Sequence, residues 1–195
     1  LNLMGSEFRV NDITGGGQYA SEIATLNNGG YVASWYGELG YNQAQTTAFQ
    51  IYDSNGNKVG NNKTPSLNVG SMVADVLDLQ NGNFAVITEH NPKGTYVNIY
   101  DSNGNSTLSN VLLSNPGSWH FRGTSASLLA PDKMVINGFY WNGSSWKVQG
   151  KIIDFSGQEL GAVNPSQSGQ NYYPVSAVLK NGNFVFIWEQ DTGGR

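Results

Sequence analysis

The chain contains no cysteine and only two histidines among its 195 residues. Without cysteine, the sequence excludes disulfide scaffolds, thiolate metal sites and cysteine nucleophiles. Charged residues make up only 12% of the chain, the formal net charge is −4, and no basic run occurs. These features argue against a nucleic-acid partner. No apolar run has the length of a transmembrane helix, so we expect no membrane insertion.

What the sequence does contain is enough for one folded domain. Hydrophobic residues make up 38% of the chain and aromatic residues 12%, while 25 glycines punctuate it at regular intervals. This composition predicts a packed core and argues against disorder. We therefore expect a single domain over residues 1–195.

A segment of the form Leu-x-Asn-Gly-x-aromatic recurs along the chain. Its copies begin at Leu26, Leu79 and Leu179, with a degenerate copy at Leu129. They are about 50 residues apart, a period typical of stacked all-β units. Each Asn-Gly pair predicts a tight type I′ turn between two strands.

A second hairpin motif alternates with the first. It reads Tyr-Asp-Ser-Asn-Gly-Asn from Tyr52 and again from Tyr100, with a weaker copy from Ile153. Each repeat therefore predicts four strands. The predicted repeat units are 19–67, 72–113, 123–163 and 173–195, together with an N-terminal strand over 5–11.

The second strand of each repeat indicates how the sheets pack. Segments such as 84–87 and 184–188 are apolar almost without alternation, which is typical of strands covered on both faces. No segment has helical periodicity, so another sheet must supply the cover. This favours a β-propeller-like array of about four four-stranded antiparallel sheets over a β-sandwich or a trefoil.

The predicted strands do not complete a ring. Four pairs of first and second strands stand against three predicted third strands. Either the array continues in a longer protein, or two chains associate as a homo-oligomer, because an unpaired edge strand promotes association.

Three elements of the chain resemble repeats in large bacterial exported proteins. They are Gly5-Ser6-Glu7-Phe8-Arg9-Val10-Asn11, the Leu-x-Asn-Gly-aromatic segments and the Tyr-Asp-x-Asn-Gly-Asn-x-x-Gly segments. The similar proteins include RTX-type calcium-binding toxins and adhesins. The resemblance covers almost the whole chain and implies an extracellular or cell-surface setting with a recognition role. The nonapeptide calcium repeats that name the group are absent, so the resemblance implies no calcium site.

Two turns resemble the opening of a calcium-binding loop. Asp53-Ser54-Asn55-Gly56-Asn57 and the equivalent segment from Asp101 have the Asp-x-Asn-x-Asn pattern. The bidentate acid that an EF-hand needs at position twelve is replaced by Thr64 and Leu112. We interpret both segments as side-chain-supported turns and expect no cofactor, with calcium as the alternative that no complete motif supports.

No catalytic constellation is visible in the chain. Glu89 precedes His90, and the other histidine is His120; we interpret both histidines as surface residues. Glu89 and Glu189 occupy the same repeat position, which suggests a glycosidase if the two acids are close enough. Since no nucleophile or metal motif occurs, we expect a protein that is not an enzyme.

Aromatic residues give the strongest functional indication. Trp35 and Trp188 are equivalent in their repeats and are expected in the core, whereas Tyr140, Trp141 and Trp146 flank a polar turn and are expected to be exposed. Rings beside amides and carboxylates suit sugars. The predicted ligand-binding residues are Tyr36, Glu89, His90, Tyr140, Trp141, Trp146 and Glu189, and Trp119 belongs to the same group of aromatics.

The favoured hypothesis is a non-catalytic, lectin- or adhesin-like module that binds a glycan or another cell-surface ligand. A structural or assembly domain of a surface protein is the alternative. A glycoside-active enzyme that uses strand-end carboxylates is a third hypothesis.

Overall fold

The computed structural model describes residues 6–40, 44–65, 70–90, 94–113, 122–165 and 169–191. Over these residues the fold is all-β, with fourteen strands and no helix. The predictions that concern Gly5, Trp119, His120 and residues 192–195 lie outside the described residues.

The strands form four antiparallel sheets in chain order. Sheet 1 contains β1 (Gln18–Thr25), β2 (Tyr31–Glu38), β3 (Gln45–Tyr52) and β4 (Lys58–Lys63). Sheet 2 contains β5 (Ser71–Asp78), β6 (Asn83–His90), β7 (Gly94–Asp101) and β8 (Ser106–Leu112). Sheet 3 contains β9 (Arg122–Ala130), β10 (Lys133–Trp141), β11 (Trp146–Asp154) and β12 (Glu159–Val163). Sheet 4 contains only β13 (Gln170–Val178) and β14 (Phe184–Asp191).

The four sheets are stacked through their first strands. Strand β1 contacts β5, β5 contacts β9, and β9 contacts β13. No comparable contact joins β13 to β1 within the described ranges, so these residues form an open array and not a closed ring. The predicted four-stranded antiparallel sheets are confirmed for sheets 1 to 3.

Two apolar cores lie between neighbouring sheets. Between sheets 1 and 2, Val32 and Phe49 pack with Phe84 and Val86. Between sheets 2 and 3, a second core contains Ile87, Ile99, Met134, Ile136 and Ile153. Strand β6 contributes to both cores, so the predicted cover on both faces of the second strand is confirmed there.

The first and fourth Asn-Gly turns differ from the predicted type I′ geometry. In the first copy, Leu26 N–H donates to Gly30 O and Gly29 N–H donates to Leu26 O. The loop thus has three residues, and within it only Gly29 has a positive φ. A type I′ turn needs two such residues, so the observed loop is a type I turn closed by a left-handed glycine.

The N-terminal strand predicted over 5–11 is not formed by the described residues 6–11. This segment crosses sheet 1 instead: the Phe8 ring packs edge-on against Tyr52, and Tyr52 Oη donates to Val10 O at 3.4 Å. Asp12 forms an ion pair with Lys58 of β4. The Phe8 ring thus covers part of the outer face of sheet 1 at Tyr52, a face on which no other described sheet packs.

Strand β14 contradicts the expectation of burial on both faces. Its residues alternate between partly buried and exposed up to Trp188, as in a sheet with one solvated face. The partly buried face, with Phe186, packs over Gly150 of sheet 3, whereas Val185 and Ile187 face away from it. The physical reason is that no described sheet packs on that second face.

Candidate functional site

All seven predicted binding residues lie at one end of the array. Second strands end there and third strands begin, and the first strand of the next sheet starts beside them. Gly70 N–H donates to Gln45 O at 2.8 Å, and Trp146 N–H donates to the side chain of Gln170 at 2.8 Å. We call this end, where the second strands end and the third strands begin, the loop end.

Five rings form a contiguous aromatic cluster at the loop end of sheets 3 and 4. Phe139 is buried beneath the others, and its ring centroid lies 5.4 Å from Trp146, 5.5 Å from Tyr172 and 5.2 Å from Tyr173. Trp141 meets Trp146 edge-to-face at 5.5 Å. These separations fall in the range that aromatic pairs prefer. The cluster therefore has a buried base and a partly solvated rim.

A rigid turn holds the two tryptophans opposite each other. Trp141 and Trp146 are register partners at the end of the β10–β11 hairpin. Between them, Asn142 Oδ1 accepts hydrogen bonds from the backbone N–H groups of Ser144 at 3.0 Å and Ser145 at 2.9 Å. Such a side-chain-supported turn limits the motion of the rings on either side.

One buried amide side chain anchors the cluster to sheet 4. Asn171 is fully buried and donates to Trp146 O at 3.2 Å and to Gly169 O at 3.0 Å. Its Oδ1 accepts a hydrogen bond from the indole nitrogen of Trp188 at 3.0 Å. The partly buried Trp188 therefore has a polar partner at the edge of the cluster and is not the purely apolar core residue expected, whereas Trp35 is buried as predicted.

A backbone irregularity brings Tyr173 to the rim. The pairing of β13 with β14 shifts register between Tyr172 and Val175, and Tyr173 has a φ of 48° with an exposed ring. A positive φ is uncommon for a bulky residue, and bulges often redirect side chains next to functional sites. No pattern in the chain indicates this bulge, so Tyr172 and Tyr173 are absent from the predicted binding residues.

Glu189 joins the cluster, whereas Tyr140 and Tyr36 do not. Glu189 is exposed and pairs in register with Tyr172, so its carboxylate lies on the strand beside the cluster. Tyr140 is partly buried and packs against the core between sheets 2 and 3, contrary to its expected exposure. Tyr36 lies in sheet 1, where its hydroxyl donates to Gln45 Oε1 at 2.7 Å.

Glu89 makes contacts between sheets 2 and 3. Its Oε1 accepts hydrogen bonds from Thr124 N–H at 2.9 Å and from Thr124 Oγ1 at 2.8 Å. Sheet 3 lies between Glu89 and Glu189, and packed sheets are about 10 Å apart.

His90 is buried, with 7% of its surface exposed, so the expected surface position is wrong. The residue ends β6 and pairs in register with Ser71 and Gly94, which places the imidazole beneath Gly70. A buried imidazole in this position contributes to the interior of sheet 2, away from the aromatic cluster.

The Asp-Ser-Asn-Gly-Asn turns are stabilised by their own aspartates. Asp101 Oδ1 accepts from the N–H groups of Asn103 at 2.9 Å and Asn105 at 2.8 Å, and Asp53 makes the same contacts in its turn. Hydrogen bonds to the carboxylate lower the pKa of Asp53. The predicted side-chain-supported turns are confirmed.

A separate cavity of about 480 Å³ lies between the first strands of sheets 1 to 3, near the opposite end of the array. Its lining residues are Ile23, Ala24, Thr25, Val76, Leu77, Asp78, Gln80 and Leu128. The polar groups there bond to one another: Asp78 accepts from Gln80 N–H at 3.2 Å, and Gln80 O accepts from Asn27 at 2.9 Å. The aromatic cluster therefore has more solvent-facing aromatic, amide and carboxylate side chains for a ligand than this cavity has.

Comparisons with known proteins give no relative. No protein-family model matches the chain, and neither does any curated protein or solved structure. In the part of the chain that the structure describes, no helix is long and apolar enough to cross a membrane. The same residues contain no group of three or more His, Asp or Glu side chains that could hold a metal ion.

Proposed function

We propose that the protein is a non-catalytic recognition module that binds a carbohydrate through the aromatic cluster at the loop end of sheets 3 and 4. One observation supports this above the others: Trp141, Trp146, Tyr172 and Tyr173 form one partly solvated cluster beside amide and carboxylate side chains. The proposal includes an extracellular or cell-surface setting, in keeping with the resemblance of the repeats.

The chemistry of the rim suits a sugar better than an apolar ligand. Aromatic faces pack against the C–H faces of a sugar ring, while its hydroxyls need donors and acceptors at the edge. Glu189 is exposed beside Tyr172, and Gln170 lies beside Trp146. The anchored turn at Asn142 and the bond between Asn171 and Trp146 hold the rings in place before a ligand arrives, which reduces the entropy lost on binding.

A glycan array followed by isothermal titration calorimetry tests the proposal. We expect Trp141→Ala and Tyr173→Ala each to weaken binding of the selected glycan by about tenfold, a change of about 1.4 kcal/mol in binding free energy. Both side chains lie at the rim, so the fold should survive their removal.

The matched control is Tyr19→Ala. Tyr19 is an exposed tyrosine in β1, far along the array from the cluster, and its removal should leave the affinity unchanged. Binding to no glycan on the array, with and without calcium, would contradict the proposal. So would an affinity that falls equally in all three variants.

A further inference from the structure

The dipeptide Asn-Gly occurs seven times in the chain. One copy lies inside β10, and the other six lie at hairpin turns, where the asparagines are Asn28, Asn55, Asn81, Asn103, Asn142 and Asn181. Asparagine before glycine loses its side-chain amide readily, because glycine has no side chain to hinder ring closure and adopts most backbone conformations. The seven copies therefore share one reactivity, and the fold decides which of them react.

The reaction joins the glycine backbone nitrogen to the side-chain Cγ of the asparagine. Hydroxide removes the N–H proton, the nitrogen attacks Cγ, and an oxyanion forms at Oδ1. The Cγ–Nδ2 bond then breaks, Nδ2 takes up a proton and leaves as ammonia, and a cyclic succinimide remains. Water opens the ring at either carbonyl to give aspartate or isoaspartate. In isoaspartate the main chain runs through Cβ and Cγ, so it is longer by one carbon.

In four of the turns, the nitrogen that would attack is held in a hydrogen bond. The donor and acceptor pairs are Gly29 N–H to Leu26 O at 2.9 Å, Gly56 N–H to Asp53 O at 3.0 Å, Gly104 N–H to Asp101 O at 2.8 Å and Gly182 N–H to Leu179 O at 2.9 Å. Loss of the proton would also break this bond, so the attack is slower there.

The copy inside β10 is protected by burial. Asn137 is 0% exposed, and its side chain bonds to Ser125 Oγ at 2.9 Å, to Pro174 O at 2.9 Å and to Ser176 Oγ at 2.6 Å. Hydroxide and water do not reach a side chain in this position. This copy should therefore be inert in the folded protein.

Asn142 combines two features that favour the reaction. Asn142 and Gly143 are exposed to water, and no atom in the described ranges accepts a hydrogen bond from Gly143 N–H. Asn142 Oδ1 accepts hydrogen bonds from Ser144 N–H at 3.0 Å, Ser144 Oγ at 3.1 Å and Ser145 N–H at 2.9 Å. Donors held around a carbonyl oxygen bind the oxyanion that replaces it more strongly. The turn thus stabilises the transition state of its own conversion.

Asn81 has the first feature without the second. Gln80 has a φ of 57°, its carbonyl accepts a hydrogen bond from Asn27 of sheet 1, and no described atom accepts one from Gly82 N–H. Asn81 Oδ1 accepts a single bond, from Asn83 N–H at 3.1 Å. Asn81 therefore ranks between Asn142 and the four copies whose glycine is bonded.

We propose that Asn142 is a self-modification site, at which conversion to isoaspartate separates Trp141 from Trp146 and switches off the aromatic cluster. The two tryptophans are register partners on either side of this turn. In isoaspartate, the oxygen that bonded to Ser144 and Ser145 belongs to the main chain, so the support that spaced the rings is lost. The loss of binding rests on the proposed carbohydrate function, whereas the reaction does not.

The reaction is measured without a ligand. The protein is incubated in mildly alkaline buffer, and peptide mapping by mass spectrometry follows each Asn-Gly site with time. We expect Asn142 to convert at least about tenfold faster than the four copies with a bonded glycine, with Asn81 between them. In urea, all seven sites should convert at similar rates. The proposal is overturned if Asn142 is no faster than those four, or if its lead persists in urea.

Ser144→Ala tests the donors around Oδ1. The variant removes the hydroxyl donor and keeps the backbone N–H. It should slow conversion at Asn142 by about threefold and leave the rate at Asn81 unchanged, so Asn81 is the matched control. An unchanged rate at Asn142 would also overturn the proposal.

Circular dichroism reports the separation of the rings. Trp141 and Trp146 lie edge-to-face at 5.5 Å, which is close enough for exciton coupling between their indoles. The isoaspartate form, separated by chromatography, should lose the exciton band and bind the selected glycan about tenfold more weakly, while unconverted protein from the same incubation keeps both. An isoaspartate form that retains the exciton band contradicts the proposal. If the parent binds no glycan, the proposed function fails, and the exciton band alone decides this inference.

Discussion

The Asp75 carboxylate in β5 accepts a hydrogen bond from the backbone N–H of Ala126 in β9 at 2.6 Å, so one acid joins the first strands of two sheets. The pKa of Asp75 is raised to about 6, chiefly by burial; hydrogen bonds from the Ala126 and Val76 N–H groups act against this rise, and the negative charge of Glu22 adds to it.

The raised pKa makes stability depend on pH. Between about pH 4 and pH 6 the folded protein retains a proton that the unfolded chain releases, so the contribution of Asp75 to stability is lost as pH rises through this window. The free energy of unfolding falls by about 3 kcal/mol across this window, at 1.36 kcal/mol per pKa unit. Asp75→Asn, which stays neutral, should gain stability relative to the parent between pH 4 and pH 7, measured by urea unfolding. Asp132→Asn, in an exposed turn, is the control; parallel curves for Asp75→Asn and the parent would contradict the prediction.

Glu89→Ala should destabilise the protein, whereas Glu189→Ala should not. Removal of Glu89 leaves two donors of the buried Thr124 without their acceptor, at a cost of about 1–3 kcal/mol. Glu189 is exposed, so its removal should change the free energy of unfolding by no more than about 0.5 kcal/mol. Chemical denaturation of both variants provides the comparison, and equal losses would show that Glu89 does not join the sheets.

The isoleucine pair gives a second internal comparison. Ile87→Ala opens a cavity in the core between sheets 2 and 3 and should cost about 2–5 kcal/mol. Ile187→Ala removes an exposed side chain and should cost less than about 1 kcal/mol. Thermal unfolding distinguishes the two, and a large loss at Ile187 would mean that its face is covered.

Two glycines test whether sheet 4 packs on sheet 3. A methyl group at Gly150 would overlap the Phe186 ring, so Gly150→Ala should destabilise the fold by about 1–3 kcal/mol. Gly161 in β12 has open space at the same atom and no positive φ, so Gly161→Ala should be close to neutral. Near-ultraviolet circular dichroism would also report a displaced Phe186 and Trp188. A neutral Gly150→Ala would contradict the packing of the two sheets.

The strands were predictable from sequence because each hairpin carries its own turn chemistry. The bounds of β6 and β7 follow from Leu79-Gln80-Asn81-Gly82 and the Asp101 turn, which are local signals. The stacking of sheets also followed, since an apolar strand such as β6 needs cover on both faces. The type of turn did not, because Asn-Gly permits both a two-residue and a three-residue loop.

The aromatic cluster was only half predictable. Trp141 and Trp146 flank a polar turn, and that pattern is visible in the chain. Tyr172 and Tyr173 join them through a bulge in a different sheet, a relationship that depends on packing between distant residues. Glu89 and Glu189 show the same limit: one repeat position has two environments, because among the described residues a following sheet contacts Glu89 and none contacts Glu189.

The segment that crosses sheet 1 has a mechanical consequence. It is attached at separate points, through Phe8 and Val10 to Tyr52, through Asp12 to Lys58, and through Gly17 O to the N–H of Glu38. Tension applied through residue 6 would load these attachments in sequence. Only after they had broken would it reach the hydrogen bonds between β1 and β2. The segment would thus yield at low force and act as a compliant tether, while the sheets behind it kept their shape.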